Sequence, residues 1–164
     1  MKITGQKLFA IFVTVIFVGP LLGLFFQNPS ITGAVNYVDV IGGFKDTNKT
    51  AIYENESLVI WFFGTTTCEY CTWEKQVLTD VLTNFEKVTL KDYYLDSEYD
   101  MTYKISAFEI SMFQEYNPKG YVPLLIIGNK YFKVGSGETN GYANEKQYLT
   151  QLISNLILNN DILQ

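Results

Sequence analysis

Leu58-Val-Ile-Trp-Phe-Phe63 sets six apolar residues in a row, and Gly64 with three threonines stops the run before Cys68-Glu-Tyr-Cys71. An uninterrupted apolar run bounded by turn residues reads as a central strand covered on both faces. Cover on both faces calls for helices packed on either side of a sheet, which points the chain toward an α/β architecture. The pattern Thr66-x-x-Glu69 is a capping box, and it predicts a helix beginning at Thr67 with both cysteines in its first turns.

The rest of the chain supports that reading. Leu78, Val81, Leu82 and Phe85 continue the helix as a single apolar stripe. Val88 to Tyr94 alternates apolar and polar residues, as a half-buried strand does. Ile105, Phe108, Met112, Phe113 and Tyr116 return to helical spacing, and Asn117-Pro118 ends it. Residues 121–127 and 131–134 flank Gly128-Asn129, a hairpin signal. Asn144-x-x-Gln147 predicts the cap of a last helix with Leu149, Leu152, Ile153 and Leu156 facing the core. The order strand, helix, strand, helix, hairpin, helix implies a mixed central sheet flanked by helices.

Upstream, Leu8 to Phe26 is nineteen residues without a charge, preceded by Lys2 and Lys7. That length suits a single membrane-spanning helix, and the charge placement puts the N-terminus in the cytoplasm and the remainder outside. Ile31-Thr-Gly33 before Ala34 offers the rival reading of a cleaved signal peptide, but the apolar run exceeds the usual signal core. The expected division is a membrane anchor over 1–27, a stalk leading into an edge strand with a turn at Gly42-Gly43 over 28–50, and the folded domain over 51–164. Asn48-Lys-Thr50 and Asn55-Glu-Ser57 match the N-glycosylation acceptor pattern, a short motif that also arises by chance.

The chain carries twelve lysines, no arginine and no histidine, at a net charge of −5. Histidine-based catalysis and histidine metal ligation are thereby excluded. Cys68 and Cys71, the two cysteines of the chain, cannot complete a structural zinc site alone. A net acidic chain without arginine argues against nucleic acid as a partner. The two cysteines then point toward sulfur chemistry. Positions i and i+3 on a helix lie about 5–6 Å apart at Cβ, close to disulfide geometry. A helix N-terminus favours thiolate over thiol, and the thiolate is the attacking species in disulfide exchange. A bridge closing a four-residue loop constrains the unfolded chain little, so a purely structural staple is a poor reason for this spacing. Cys68, nearer the helix start, is expected to attack and Cys71 to resolve.

A strand, Cys68-Glu-Tyr-Cys71 opening a helix, then Val122-Pro123 leading a hairpin that ends Lys133-Val-Gly135, resembles the thioredoxin superfamily over about residues 57–159. The resemblance implies a thioredoxin-like fold and a cis Val122–Pro123 bond beside the cysteines. It also implies that the Val122 backbone binds the substrate chain. It implies a thiol–disulfide oxidoreductase without cofactor or metal, acting on cysteine-containing exported proteins. Its electrons would be exchanged with a membrane thiol relay or a quinone-linked oxidase. The competing class is a tethered, non-enzymatic binding or chaperone module. Phe62 stands where the family keeps a buried Asp, which leaves Glu69 as the nearest candidate for proton transfer. Thr67 replaces the family's Trp, and Glu69-Tyr70 its Gly-Pro. Tyr70 before the second cysteine resembles glutaredoxins, but no arginine is present to grip glutathione. The Cys-x-x-Cys dipeptide lacks the histidine of strongly oxidising relatives, which points to a moderate or reducing potential. Tyr70 and Trp73 are expected to form an exposed apolar rim. Gly135-Ser-Gly137 is expected to face substrate, and Trp61, Phe62 and Phe63 to be core.

Overall fold

The computed structural model describes residues 37–97 and 104–162. The expected membrane span Leu8–Phe26 lies outside them, and among the described residues no helix is long and apolar enough to cross a membrane. The apolar run becomes β4 (Ser57–Gly64), buried from Leu58 to Gly64. Successive side chains of a strand point to opposite faces, so β4 feeds two cores. Leu58, Ile60 and Phe62 pack with Val77, Leu78 and Val81 of α1 (Glu69–Leu82) and with Leu149 and Ile153 of α3 (Tyr142–Ile162). Val59, Trp61 and Phe63 pack with Met112 and Tyr116 of α2 (Ala107–Tyr116).

β5 (Val88–Tyr94) runs parallel to β4, from Leu58 opposite Val88 to Gly64 opposite Tyr94. On the other side β6 (Leu124–Ile127) runs antiparallel, with Phe63 opposite Leu124, and β7 (Tyr131–Val134) follows by a hairpin. Gly128 and Asn129 both adopt positive φ there (60° and 59°), the conformation of a primed turn. The expected edge strand is a short hairpin, β1 (Val38–Asp39) and β2 (Lys45–Asp46), with β2 paired antiparallel to β7. A further pair of residues, β3 (Tyr53–Glu54), folds back on the start of β4. The architecture is a mixed α/β sheet between helices.

Several local expectations are corrected. Phe85 lies beyond the end of α1 and Ile105 ahead of the start of α2, each half-buried against the core from a flanking segment. Helix α1 begins at Glu69 rather than Thr67, because Thr66 spends its N–H and hydroxyl on Asp96 and Cys68 becomes the N-cap. Helix α3 begins at Tyr142, so Asn144 lies inside it and donates to the Asn140 carbonyl instead of capping. On α2, Phe108 is exposed and Glu109 is buried in its place, because Glu109 closes a capping box with Ser106 and accepts from the Tyr93 hydroxyl and the Trp61 indole.

Candidate functional site

The strand register brings the site together. β4 and β6 are antiparallel, so the end of β4 that leads to the cysteines is also the end where residues 122 and 123 enter β6. Pro123 is buried, its bond to Val122 is cis, and its carbonyl accepts the Gly135 N–H at 2.7 Å. A Cβ placed on Gly64 would stand 3.3 Å from Cys71 Cβ and 2.9 Å from the Phe62 ring, so the end of β4 lies directly against the cysteine helix. More than fifty residues of separation thus collapse onto one end of the sheet.

Cys68 and Cys71 form a disulfide with their Cα atoms 5.1 Å apart, within the range such bridges require. Cys68 is half-buried and Cys71 is 1% exposed. As N-cap, Cys68 accepts the Cys71 N–H on Sγ at 3.1 Å. The sulfur therefore occupies the position where a capping oxygen ordinarily satisfies a free amide, with the positive end of the α1 dipole directed at it. That environment favours negative charge on Cys68 once the bridge is opened. Glu69, in the first turn, is exposed and adds a negative charge next to it, working against the dipole.

No family model and no curated protein matches this chain. Tyr70 is 59% exposed at the head of α1, as an apolar rim requires, whereas Trp73 turns inward, packing on the core and edge-on against Tyr142 at 6.1 Å. Trp61, Phe62 and Phe63 are core. Val122 is partly exposed, and among the described residues its N–H and C=O take part in no hydrogen bond. A backbone segment left open in this way can pair with an incoming extended chain. The exposed Tyr121, just before Val122, and Val134, just before Gly135, line a shallow cleft of about 180 Å³ together with Tyr116, Asn117, Pro118 and Lys119.

Several residues that sequence reasoning missed hold these walls. The exposed Asp96 carboxylate accepts the Thr66 N–H at 2.9 and 3.0 Å and the Thr66 hydroxyl at 2.8 Å, fixing the turn that delivers Cys68. Those donors hold its carboxyl below its usual value. Asn117 is buried, and its side chain donates to the Tyr121 carbonyl and accepts the Tyr121 N–H, splinting the segment that leads to Pro123. Beside Phe62, Lys75 of α1 pairs with Asp92 of β5 and lies 5.5 Å from the centre of the Phe62 ring and 5.2 Å from that of Tyr94. Burial pushes the Lys75 ammonium down from its usual value. On the other flank, Glu74, Lys133 and Glu145 form a buried ionic cluster.

Among the described residues no group of three or more cysteines and carboxylates is placed to hold a metal ion. The glycosylation-pattern residues Asn48 and Asn55 are exposed, both at positive φ, near the end of β4 away from the cysteines. A larger pocket of about 490 Å³, lined in part by Lys49, Tyr53, Lys130 and Leu156, is also at that end.

Proposed function

We propose that the chain is a thiol–disulfide oxidoreductase of thioredoxin-like build that acts on disulfides of exported proteins. The observation that carries this reading is the pairing of a half-buried N-cap Cys68 with a buried Cys71 across one helical turn, at the sheet end where the cis Val122–Pro123 bond arrives. In the reducing direction, the Cys68 thiolate attacks a substrate sulfur and forms a mixed disulfide, and the other substrate sulfur leaves as a thiolate. Cys71, losing its proton, then attacks Cys68 Sγ, which closes the Cys68–Cys71 bridge and releases the second substrate thiol. Two electrons pass from the cysteine pair to the substrate. The reverse sequence oxidises a dithiol. Val122 pairs with the substrate backbone, and Tyr70 and Tyr121 offer an apolar rim to the residues around its sulfur.

No metal or organic cofactor enters these steps. A membrane thiol relay or a quinone-linked oxidase would reset the pair, and the apolar segment Leu8–Phe26 would anchor the domain outside a membrane with its N-terminus in the cytoplasm. Recovery of the full-length protein in the soluble exported fraction would overturn the anchor.

The test of activity is reduction of insulin by dithiothreitol. Wild-type protein is expected to accelerate it and Cys68→Ser is expected not to. Equal rates for the two would sink the enzyme reading and leave the alternative, a module that holds clients in the groove at Val122.

A further inference from the structure

The buried cluster on α1, β7 and α3 has an odd composition. Glu74 and Glu145 are both 0% exposed, and one ammonium, Lys133, serves the two of them. Lys133 Nζ donates to Glu145 and stands 3.0 Å from Glu74 Oε1, and its ammonium lies 4.6 Å from the centre of the Phe44 ring. Asn140 donates to the second Glu145 oxygen at 3.0 Å, and the Gly137 N–H donates to the second Glu74 oxygen at 2.7 Å. Burial holds the Glu74 carboxyl above the usual carboxylate range, and Glu145 pushes the same way. Lys133 and the Gly137 N–H pull against them.

Stability is a poor reason for such a cluster. Desolvating three charges costs about as much as their attraction returns, and well-packed apolar residues commonly serve as well. What apolar residues cannot supply is a directional bond to one backbone amide. Glu74 lies one turn after Cys71 on the buried face of the same helix. Gly137, which it grips, belongs to the segment whose Gly135 N–H is bonded to Pro123. A Cβ on Gly137 would overlap the Glu145 carboxylate, so the loop approaches as closely as a glycine backbone allows.

We propose that Glu74 is a positioning residue for polypeptide substrates. Through Gly137 it fixes the Gly135–Gly137 loop, and with it the Pro123 wall, at a set distance from the helix that carries Cys68 and Cys71. The inference rests on the oxidoreductase reading and adds the substrate class for which the spacing matters. A protein chain must fit between the two walls, whereas a small disulfide needs only the Cys68 sulfur.

The test compares reduction of insulin with reduction of a small aromatic disulfide by wild type, Glu74→Met, Glu74→Asp and Glu74→Gln. Glu74→Met removes the acceptor but leaves Lys133 paired with Glu145, and Glu74→Asp keeps the charge while withdrawing it from Gly137. Both are expected to raise KM for insulin about five- to tenfold, the worth of one such hydrogen bond, with kcat within about twofold. The rate with the small disulfide is expected to stay at the wild-type value, and Glu74→Gln, which retains an acceptor oxygen, is expected to restore KM. An unchanged insulin KM in Glu74→Met and Glu74→Asp overturns the inference, as does an equal loss with both substrates. Wild-type protein inert toward insulin would instead overturn the oxidoreductase reading.

Discussion

At the scale of single residues, the site is a contest over charge at one sulfur. The Cys71 N–H and the α1 dipole draw negative charge onto Cys68, and Glu69 one residue later opposes it. Removing that opposition in Glu69→Gln is expected to speed alkylation of reduced Cys68 at neutral pH by about two- to fivefold, the usual worth of one charge at a helix terminus. Timed iodoacetamide labelling read by mass spectrometry checks it, and an unchanged rate would show that Glu69 is fully screened. Asp96 supplies the pH dependence. Its carboxyl is held below its ordinary value by the Thr66 N–H and hydroxyl, so its contribution is fully present above the unfolded value and is lost as pH falls through the lower folded value. The Thr66 amide is expected to stay protected, relative to its intrinsic exchange rate at each pH, until pH drops below the ordinary aspartate range. In Asp96→Ala that protection is expected to be lost at every pH. Equal protection in the two proteins would mean that the turn is held by something else.

At the scale of elements, the junction of β4 with α1 and the start of α2 are the informative places. Gly64→Ala would push a methyl against Phe62 and Cys71, and it is expected to cost about 1–3 kcal/mol, measured by the denaturant midpoint. Ser106→Ala removes one half of the α2 capping box and is expected to cost about 0.5–2 kcal/mol by the same measurement. Strands and helices were legible in the sequence wherever apolar spacing defines them, as in Leu58–Phe63, Leu78 and Val81 of α1, the Gly128-Asn129 turn and the Leu149–Leu156 face; Phe85 fits the α1 spacing but lies past the helix end at Leu82. Starts of helices were not, because a capping pattern names donors and acceptors without saying which distant group competes for them. Thr66 fits a capping box locally, but Asp96, thirty residues on, takes its hydrogen bonds. Glu109 was hidden for the same reason, since its partners Tyr93 and Trp61 come from two other strands. The Glu74 cluster did leave a trace. Positions 71, 74, 78 and 81 share one helix face, and 145, 149, 152 and 156 share another, so both buried carboxylates interrupt stripes that are otherwise apolar.

For the whole molecule, the chain joins two walls that the sequence holds far apart, the Cys68–Cys71 helix and the Val122–Pro123 segment, at one end of a mixed sheet. The cysteines and Val122-Pro123 could be named from the sequence. The supports that hold the walls in place, Asp96, Asn117 and Glu74, required the fold: Asp96 and Glu74 reach partners thirty and sixty-three residues away, and Asn117 binds Tyr121 four residues on, in a loop that no apolar periodicity marks. A bridge over four residues restrains the unfolded chain little, so Cys68→Ala is expected to lower stability by about 2 kcal/mol or less, at the bottom of the range for native disulfides. A larger loss in chemical denaturation would favour a structural staple. The central claim, that Cys68 attacks and Cys71 resolves, is tested most directly by trapping. Reduced Cys71→Ser protein mixed with a disulfide-bonded protein is expected to accumulate a covalent adduct at Cys68 that dithiothreitol releases, while Cys68→Ser forms none. An inert Cys71→Ser protein, or equal trapping through Cys71 in Cys68→Ser, would contradict the account.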